Sequence, residues 1–224
     1  MKKLVIFDCD GTLIDSQNAI VSAMTHAFAS QNLPAPPRRR TLSVVGLSLP
    51  EAIAILTPQH SLETQAALID GFRAGSKLIR GRGESEVLYP GISALVSMLA
   101  SHDDVHLGIA TGKSHRGVLR LFEQQNWHEL FATIQTADNN PSKPHPQMIM
   151  SAMQETGVDP AQTVMIGDSS FDMAMARAAR VKAIGVTWGY HTTDALNSAG
   201  AHAIAETSAD LLTLLDNIEN LGRA

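Results

Sequence analysis

Apolar and polar residues follow two alternating periods along this chain. Short runs rich in β-branched residues recur at KLVIFD (3–8), VHLGIAT (105–111), ATIQTA (132–137), TVMIGD (163–168) and KAIGVT (182–187). Segments of helical period separate them. Leu95, Val96 and Leu99 share one helical face, and Val118, Leu121, Phe122 and Gln125 keep the same spacing after a candidate cap at Ser114. Strand and helix in regular alternation predict an α/β fold, a Rossmann-like doubly wound parallel sheet.

One interval breaks the alternation. Between Asp15 and Tyr89 a helical series opens with Ala19, Ile20, Ala23, Met24, Ala27 and Phe28, and no strand pattern is legible until Val105. Turn chemistry at LPAPPRRR, a helix start at Pro50–Glu51 and a longer helix opening near Ser61 predict a small helical bundle. The expected organisation is a core of residues 1–15 and 88–224 with an α-helical cap, 16–87, inserted after the first strand. YPGI (89–92) is the expected return hinge.

Composition narrows the class. With 224 residues, 44% of them hydrophobic, the chain can bury a sizeable core. A formal net charge of -5 and the lack of long basic runs argue against nucleic acid or an anionic membrane as partner. The expected partner is a small metabolite, and the expected assembly a monomer or homodimer. Cys9 is the single cysteine, so no disulfide forms within the chain and the cytoplasm is the expected compartment. MKKLVIF begins like a signal peptide, but its apolar stretch stops at Asp8, and no run approaches the ~18 apolar residues of a membrane span.

Ligands of open parallel sheets bind beyond the carboxyl ends of the strands. There the chain places Asp8 and Asp10, then Thr111-Gly112-Lys113, and later Asp168 with Asp172 nearby; Lys143 lies in the loop SKPHP. Four carboxylates, a hydroxyl and an ammonium are thus expected on one rim. Such a cluster demands a divalent cation, and all-oxygen ligands point to Mg2+.

DCDGTL, ATGK, KPHP and GDSSFD resemble, in order, the four motifs of the haloacid dehalogenase-like hydrolase superfamily, and the likeness spans the chain. YPG, DMAMARAA and GVTWGYH bring it nearest to the phosphoglycolate phosphatase-like branch with a helical cap. The superfamily's dehalogenases lack the second aspartate, whereas Asp10 is present here, so the resemblance implies phosphate-ester chemistry. Residues two apart on an extended segment project to the same side, which lets Asp8 and Asp10 face one substrate while Cys9 points away. Asp8 is then the expected nucleophile, forming an aspartyl-phosphate, and Asp10 the acid and base. The family's pattern implies that magnesium binds the side chains of Asp8 and Asp168 and the backbone carbonyl of Asp10, with Asp172 supporting the metal shell or Lys143. It further implies that Thr111, the amide of Gly112, and Lys143 hold the phosphoryl oxygens.

Taken singly, Asp10-Gly11 is an ordinary turn, Thr111-Gly112 an ordinary strand exit and Lys143 an ordinary solvated side chain. Their joint order beside successive strand ends outweighs that. Cys9 reads as a small buried hydrophobe, and His102 and His106 as separated by a strand start. Met148 and Met153 read as core filler. Arg38, Arg39 and Arg40 either recognise a substrate carboxylate from the cap or form a solvated face, and Trp188 and Tyr190 either line the site or pack beneath it. A receiver-type signalling module also gathers aspartates, a threonine and a lysine around magnesium, but there the lysine comes last. A phosphosugar mutase of the same superfamily shares all four motifs, although those mutases usually read DGV where this chain reads Asp10-Gly11-Thr12. A catalytically silent binding protein would have no use for the full set of rim charges.

Overall fold

In the computed structural model, which describes residues 2–81 and 87–217, the first strand shows how the core is built. β1 (Lys3–Phe7) sends Val5 and Phe7 into one apolar cluster and Leu4 and Ile6 into another, as the two-residue period of a strand buried on both faces requires. The chain then makes a two-residue strand, β2 (Ile14–Asp15), and runs through four helices, α1 (Gln17–Ser30), α2 (Arg38–Leu42), α3 (Leu49–Leu56) and α4 (Leu62–Gly81). β3 (Val87–Leu88) pairs antiparallel with β2, Ile14 opposite Leu88 and Asp15 opposite Val87, and so closes the helical excursion at its base. This ribbon corrects the expectation that no strand lies between Asp15 and Val105; two residues are too few to show a period.

The remaining chain alternates as the sequence predicts: α5 (Ile92–Ala100), β4 (Val105–Thr111), α6 (His115–Gln125), β5 (Phe131–Thr136), α7 (Gln147–Thr156), β6 (Thr163–Gly167), α8 (Ser170–Ala178), β7 (Lys182–Val186), α9 (Thr193–Ser198), β8 (Ala203–Ala205) and α10 (Ser208–Asp216). The principal sheet is parallel with strand order β5-β4-β1-β6-β7-β8. Apolar faces of α5, α6 and α10 cover one side and those of α7, α8 and α9 the other. β8 is the one strand of this sheet that the sequence pattern did not mark. Each buried Leu, Ile or Phe contributes roughly 1.5–3 kcal/mol, so the two clusters hold the sheet between its helical layers.

The four excursion helices have a core of their own, Met24, Ala27, Phe28, Ile53 and Leu68. α3 begins one residue before the expected Pro50, with Ser48 as N-cap accepting from the Glu51 amide. Among the described residues no helix is long and apolar enough to cross a membrane. β1 lies between β4 and β6, the two strands from which the order runs outward in opposite directions, and that switch point sets the place where a ligand crevice opens.

Candidate active site

The carboxyl ends of β1, β4 and β6 bring the singled-out residues together. Asp8 follows β1 and is 1% exposed, Asp168 follows β6 at 1%, and Asp172 and Lys143 are fully buried at 0%. Burying four ionisable groups is costly unless each is paired. Lys143, carried on the loop before α7, places Nζ 2.8 Å from Asp8 Oδ2 and 2.6 Å from Asp172 Oδ1. Asp172 is held by the start of α8. Its Oδ2 accepts from the amide and hydroxyl of Ser169 at 3.0 and 2.7 Å, one half of a capping box. Asp168 accepts from the Thr12 hydroxyl and the Tyr190 amide, both at 2.9 Å.

Glycines make that fit possible. A Cβ at Gly11 would stand 2.2 Å from Asp168 Oδ2 and one at Gly189 2.1 Å from Asp168 Cβ, and Gly11 has φ +89°. Asp8, Asp168 and Asp172 can each offer an oxygen within 4.8 Å of the others. Burial pushes the Asp8 carboxyl up to about 6, against the pull of Lys143 and with help from Asp172. Burial likewise raises Asp168 well above the usual range, reinforced by Asp172 and Asp8. For Lys143 burial disfavours the charge, but Asp172 and Asp8 overcome it and raise its pKa. The three carboxylates face one ammonium, which pairs with Asp8 and Asp172 but not Asp168, an excess of negative charge that a cation would relieve. Among the described residues Asp8 Oδ2 has no partner beyond its ion-pair contact with Lys143. All-oxygen donors of this kind fit a hard divalent cation.

Asp10 departs from the expected four-carboxylate rim. Its carboxyl turns away from the other three to pair with Lys113, Nζ to Oδ1 at 3.0 Å. The reason lies in the turn: the amides of Thr12, Leu13 and Ile14 all converge on the Cys9 carbonyl, so the chain folds back directly after Asp10. Asp8 and Asp10 nevertheless face the same cavity, and Cys9 lies in the core with its thiol pushed up by burial and by Asp8. Thr111 ends β4, buried, its hydroxyl accepting from the Lys113 amide at 3.2 Å. Gly112 meets the helical excursion so closely that a Cβ there would stand 2.4 Å from the Leu47 carbonyl oxygen.

A family profile described as haloacid dehalogenase-like hydrolase matches residues 5–186. The chain belongs to this family. It is 35% identical, over 95% of its length and 93% of the relative's, to a protein of Dickeya dadantii named "Probable phosphatase IndB". It is 28% identical to the phosphoglycolate phosphatase of Photorhabdus laumondii, over 95% and 92% of the two chains. The crystal structure of a hydrolase from Pseudomonas syringae superposes with a TM-score of 0.85 at 25% identity, covering 97% of this chain and 99% of that one.

A cavity of about 540 Å3 opens between the excursion helices and the strand ends. Asp8, Asp10, Thr111 and Gly112 line it, whereas Arg38, Arg39 and Arg40 do not. Arg38 donates to Gln17 and Arg40 to the Ile55 carbonyl, which returns that run to the protein's surface. Trp188 and Tyr190 pack beneath the Asp10 loop instead of lining the cavity. Trp188 Nε1 donates to the Thr12 carbonyl at 3.1 Å, and the Tyr190 hydroxyl accepts from the Ser16 amide at 3.2 Å. The sequence named Lys113 and Thr12 without giving them contacts, and it did not mark the lining arginines of α4 and α6. Arg116 and Arg120 carried a usable signal, being four apart on the polar side of a helix that starts at a strand's carboxyl end.

Proposed function

We propose that the chain is a magnesium-dependent phosphatase that hydrolyses a small phosphorylated metabolite through an aspartyl-phosphate at Asp8. The observation that carries the reading is Asp8 Oδ2, buried and 2.8 Å from the Lys143 ammonium, with a second carboxyl on the same cavity two residues on. Asp8 attacks phosphorus as the ester P–O bond breaks, and Asp10 gives its proton to the departing alkoxide. Water then attacks the aspartyl-phosphate, Asp10 takes the water's proton, and inorganic phosphate leaves Asp8 as it began. Lys143, the Thr111 hydroxyl and the Gly112 amide hold the phosphoryl oxygens. Asp8, Asp168 and the Asp10 carbonyl would hold Mg2+, which supplies charge neutralisation for the phosphoryl group, and Asp172 fixes Lys143.

Relatives named as phosphatases support a hydrolase, and phosphoglycolate-like monoesters are the substrate class that their names suggest. Thr12 favours hydrolase over mutase, since its hydroxyl bonds Asp168 and the valine usual in the mutases could not. We read residues 1–15 and 88–224 as the catalytic core and 16–87 as a cap that closes on it. The test is hydrolysis of an aryl phosphate by the purified protein with magnesium and in excess chelator. The expected result is turnover only with the metal; full activity in chelator would overturn the metal assignment.

A further inference from the structure

The segment from Ser43 to Ser48 belongs to the helical excursion, yet it rests on the core. It joins α2 to α3, and Val44 to Ser48 line the cavity beside the strand ends. Two residues that the chemistry does not use build the surface beneath it. Phe171, in the first turn of α8, packs against the cluster of Val44, Leu47 and Ala52. A Cβ at Gly46 would stand 3.0 Å from Ser169 Oγ and 3.6 Å from the Phe171 ring. His191, on the loop after β7, meets Phe171 edge to face with ring centroids 5.5 Å apart. Its Nδ1 accepts from the Ser170 amide at 3.1 Å, so the ring is neutral and carries its proton on Nε2. That N–H is buried and has no hydrogen-bond partner among the described residues, a costly state for a donor shut off from water. The acceptor turned toward it is the Ser43 carbonyl, which together with Asp172 offsets part of the fall that burial causes in the pKa of the ring.

We propose that His191 is a positioning residue, a latch whose Nε2 donates to the Ser43 carbonyl when phosphate is bound and so holds segment 43–48 down over the reacting group. The role rests on the phosphatase reading above. One end of the segment is already tied, since the Ser48 amide donates to Ser142 Oγ at 2.8 Å. At the other end a donor and an acceptor face each other with no bond made, and that contact is the one left for closure to complete. The latch is also anchored to the site. Tyr190, the residue before it, donates its amide to Asp168 Oδ2 at 2.9 Å, so the loop that carries His191 keeps a fixed place relative to the carboxylates. One hydrogen bond changes an equilibrium constant by about two- to tenfold, enough to shift a segment between open and closed populations while leaving product free to depart.

The experiment follows backbone amide exchange with and without inorganic phosphate plus magnesium, in wild type and two variants. In His191→Asn the carboxamide oxygen still accepts from the Ser170 amide, but the side chain is too short to reach Ser43. In His191→Gln a terminal N–H extends about as far as Nε2. Phosphate with magnesium should slow exchange at the Val45, Leu47 and Ser48 amides of wild type. His191→Asn should cut that slowing about two- to tenfold with exchange in α8 unchanged, and His191→Gln should keep most of it. For an aryl phosphate, KM should rise by a similar factor in His191→Asn with kcat nearly constant, because only the closed fraction binds productively. Slowing that is absent from wild type, equal in His191→Asn, or lost alike in both variants would overturn the latch. So would faster exchange at the Asp172 and Met173 amides in His191→Asn, which would mark a role in starting α8. A wild type inert toward the ester would overturn the phosphatase reading alone, since the exchange comparison involves no turnover.

Discussion

Lys143 Nζ and Asp8 Oδ2 face each other at 2.8 Å, side chains 0% and 2% exposed. Neither charge is solvated, so each depends on the other and on Asp172. Lys143→Met strands two buried carboxylates, and breaking a buried pair costs about 3–5 kcal/mol. The variant should melt well below wild type in chelator and regain part of the loss in magnesium. Its kcat/KM for an aryl phosphate should fall on the order of a hundredfold or more. Thermal melts and initial rates check both, and a variant as stable as wild type would contradict the pairing.

Asp8 makes the metal-free protein pH-sensitive in a defined sense. Its pKa rises from 3.8 to about 6 on folding. Within that window the folded protein keeps a proton that the unfolded chain has lost, so the Asp8 contribution to stability falls as pH rises and levels off above about 6. Lys143, raised from an already high pKa, stays charged throughout and adds no slope there. Burial lowers His106, His191 and His202, which slopes the other way, and raises Asp168, which slopes the same way, so the comparison is with Asp8→Asn at each pH. In chelator the variant's stability advantage should grow between pH 4 and 7, since Asp8 in the folded wild type holds its proton to higher pH than in the unfolded chain. Magnesium should shrink it. Denaturant melts at several pH values check this, and an advantage that is constant across the range would contradict it.

Gly112 packs against the segment that leads into α3. A Cβ there would press on the Leu47 and Gly46 carbonyl oxygens at 2.4 and 2.8 Å. Nearby, the Ser48 amide donates to Ser142 Oγ at 2.8 Å. Gly112→Ala should push this segment off the core and speed hydrogen exchange at the Ser48 amide, while aryl phosphate turnover falls about tenfold or more as water gains access. Unchanged exchange with unchanged rate would show that the contact does not hold the cap closed.

What was legible in the sequence follows from how local each signal is. β1 reads from five residues, because a doubly buried strand needs an unbroken apolar run, and Ser114 reads as a cap because its hydroxyl bonds the Gly117 amide three residues on. Asp8, Asp168, Asp172 and Lys143 meet because parallel strands end at one edge, a consequence of topology that the alternating pattern implies. β2 and β3 stayed hidden, since their pairing joins residues some seventy positions apart with no periodicity at either end. Arg38 to Arg40 stand out as a run and keep the solvated-face reading, since their side chains stay off the cavity that Thr41 of the same helix lines. Asp10 turned toward Lys113 through a turn closed on the Cys9 carbonyl, a backbone feature that residue types alone do not specify.

The central claim is that Asp8 is phosphorylated during turnover. Asp10→Asn removes the group that would activate water, so with a good leaving group this variant should accumulate the aspartyl-phosphate. Rapid acid quench, borohydride reduction and peptide mass spectrometry then read the acylated position. The account predicts homoserine at position 8 and at no other aspartate, formed only when substrate and magnesium are present. Reduction at Asp10, Asp168 or Asp172 in place of Asp8, or none while phosphate is still released, would contradict it.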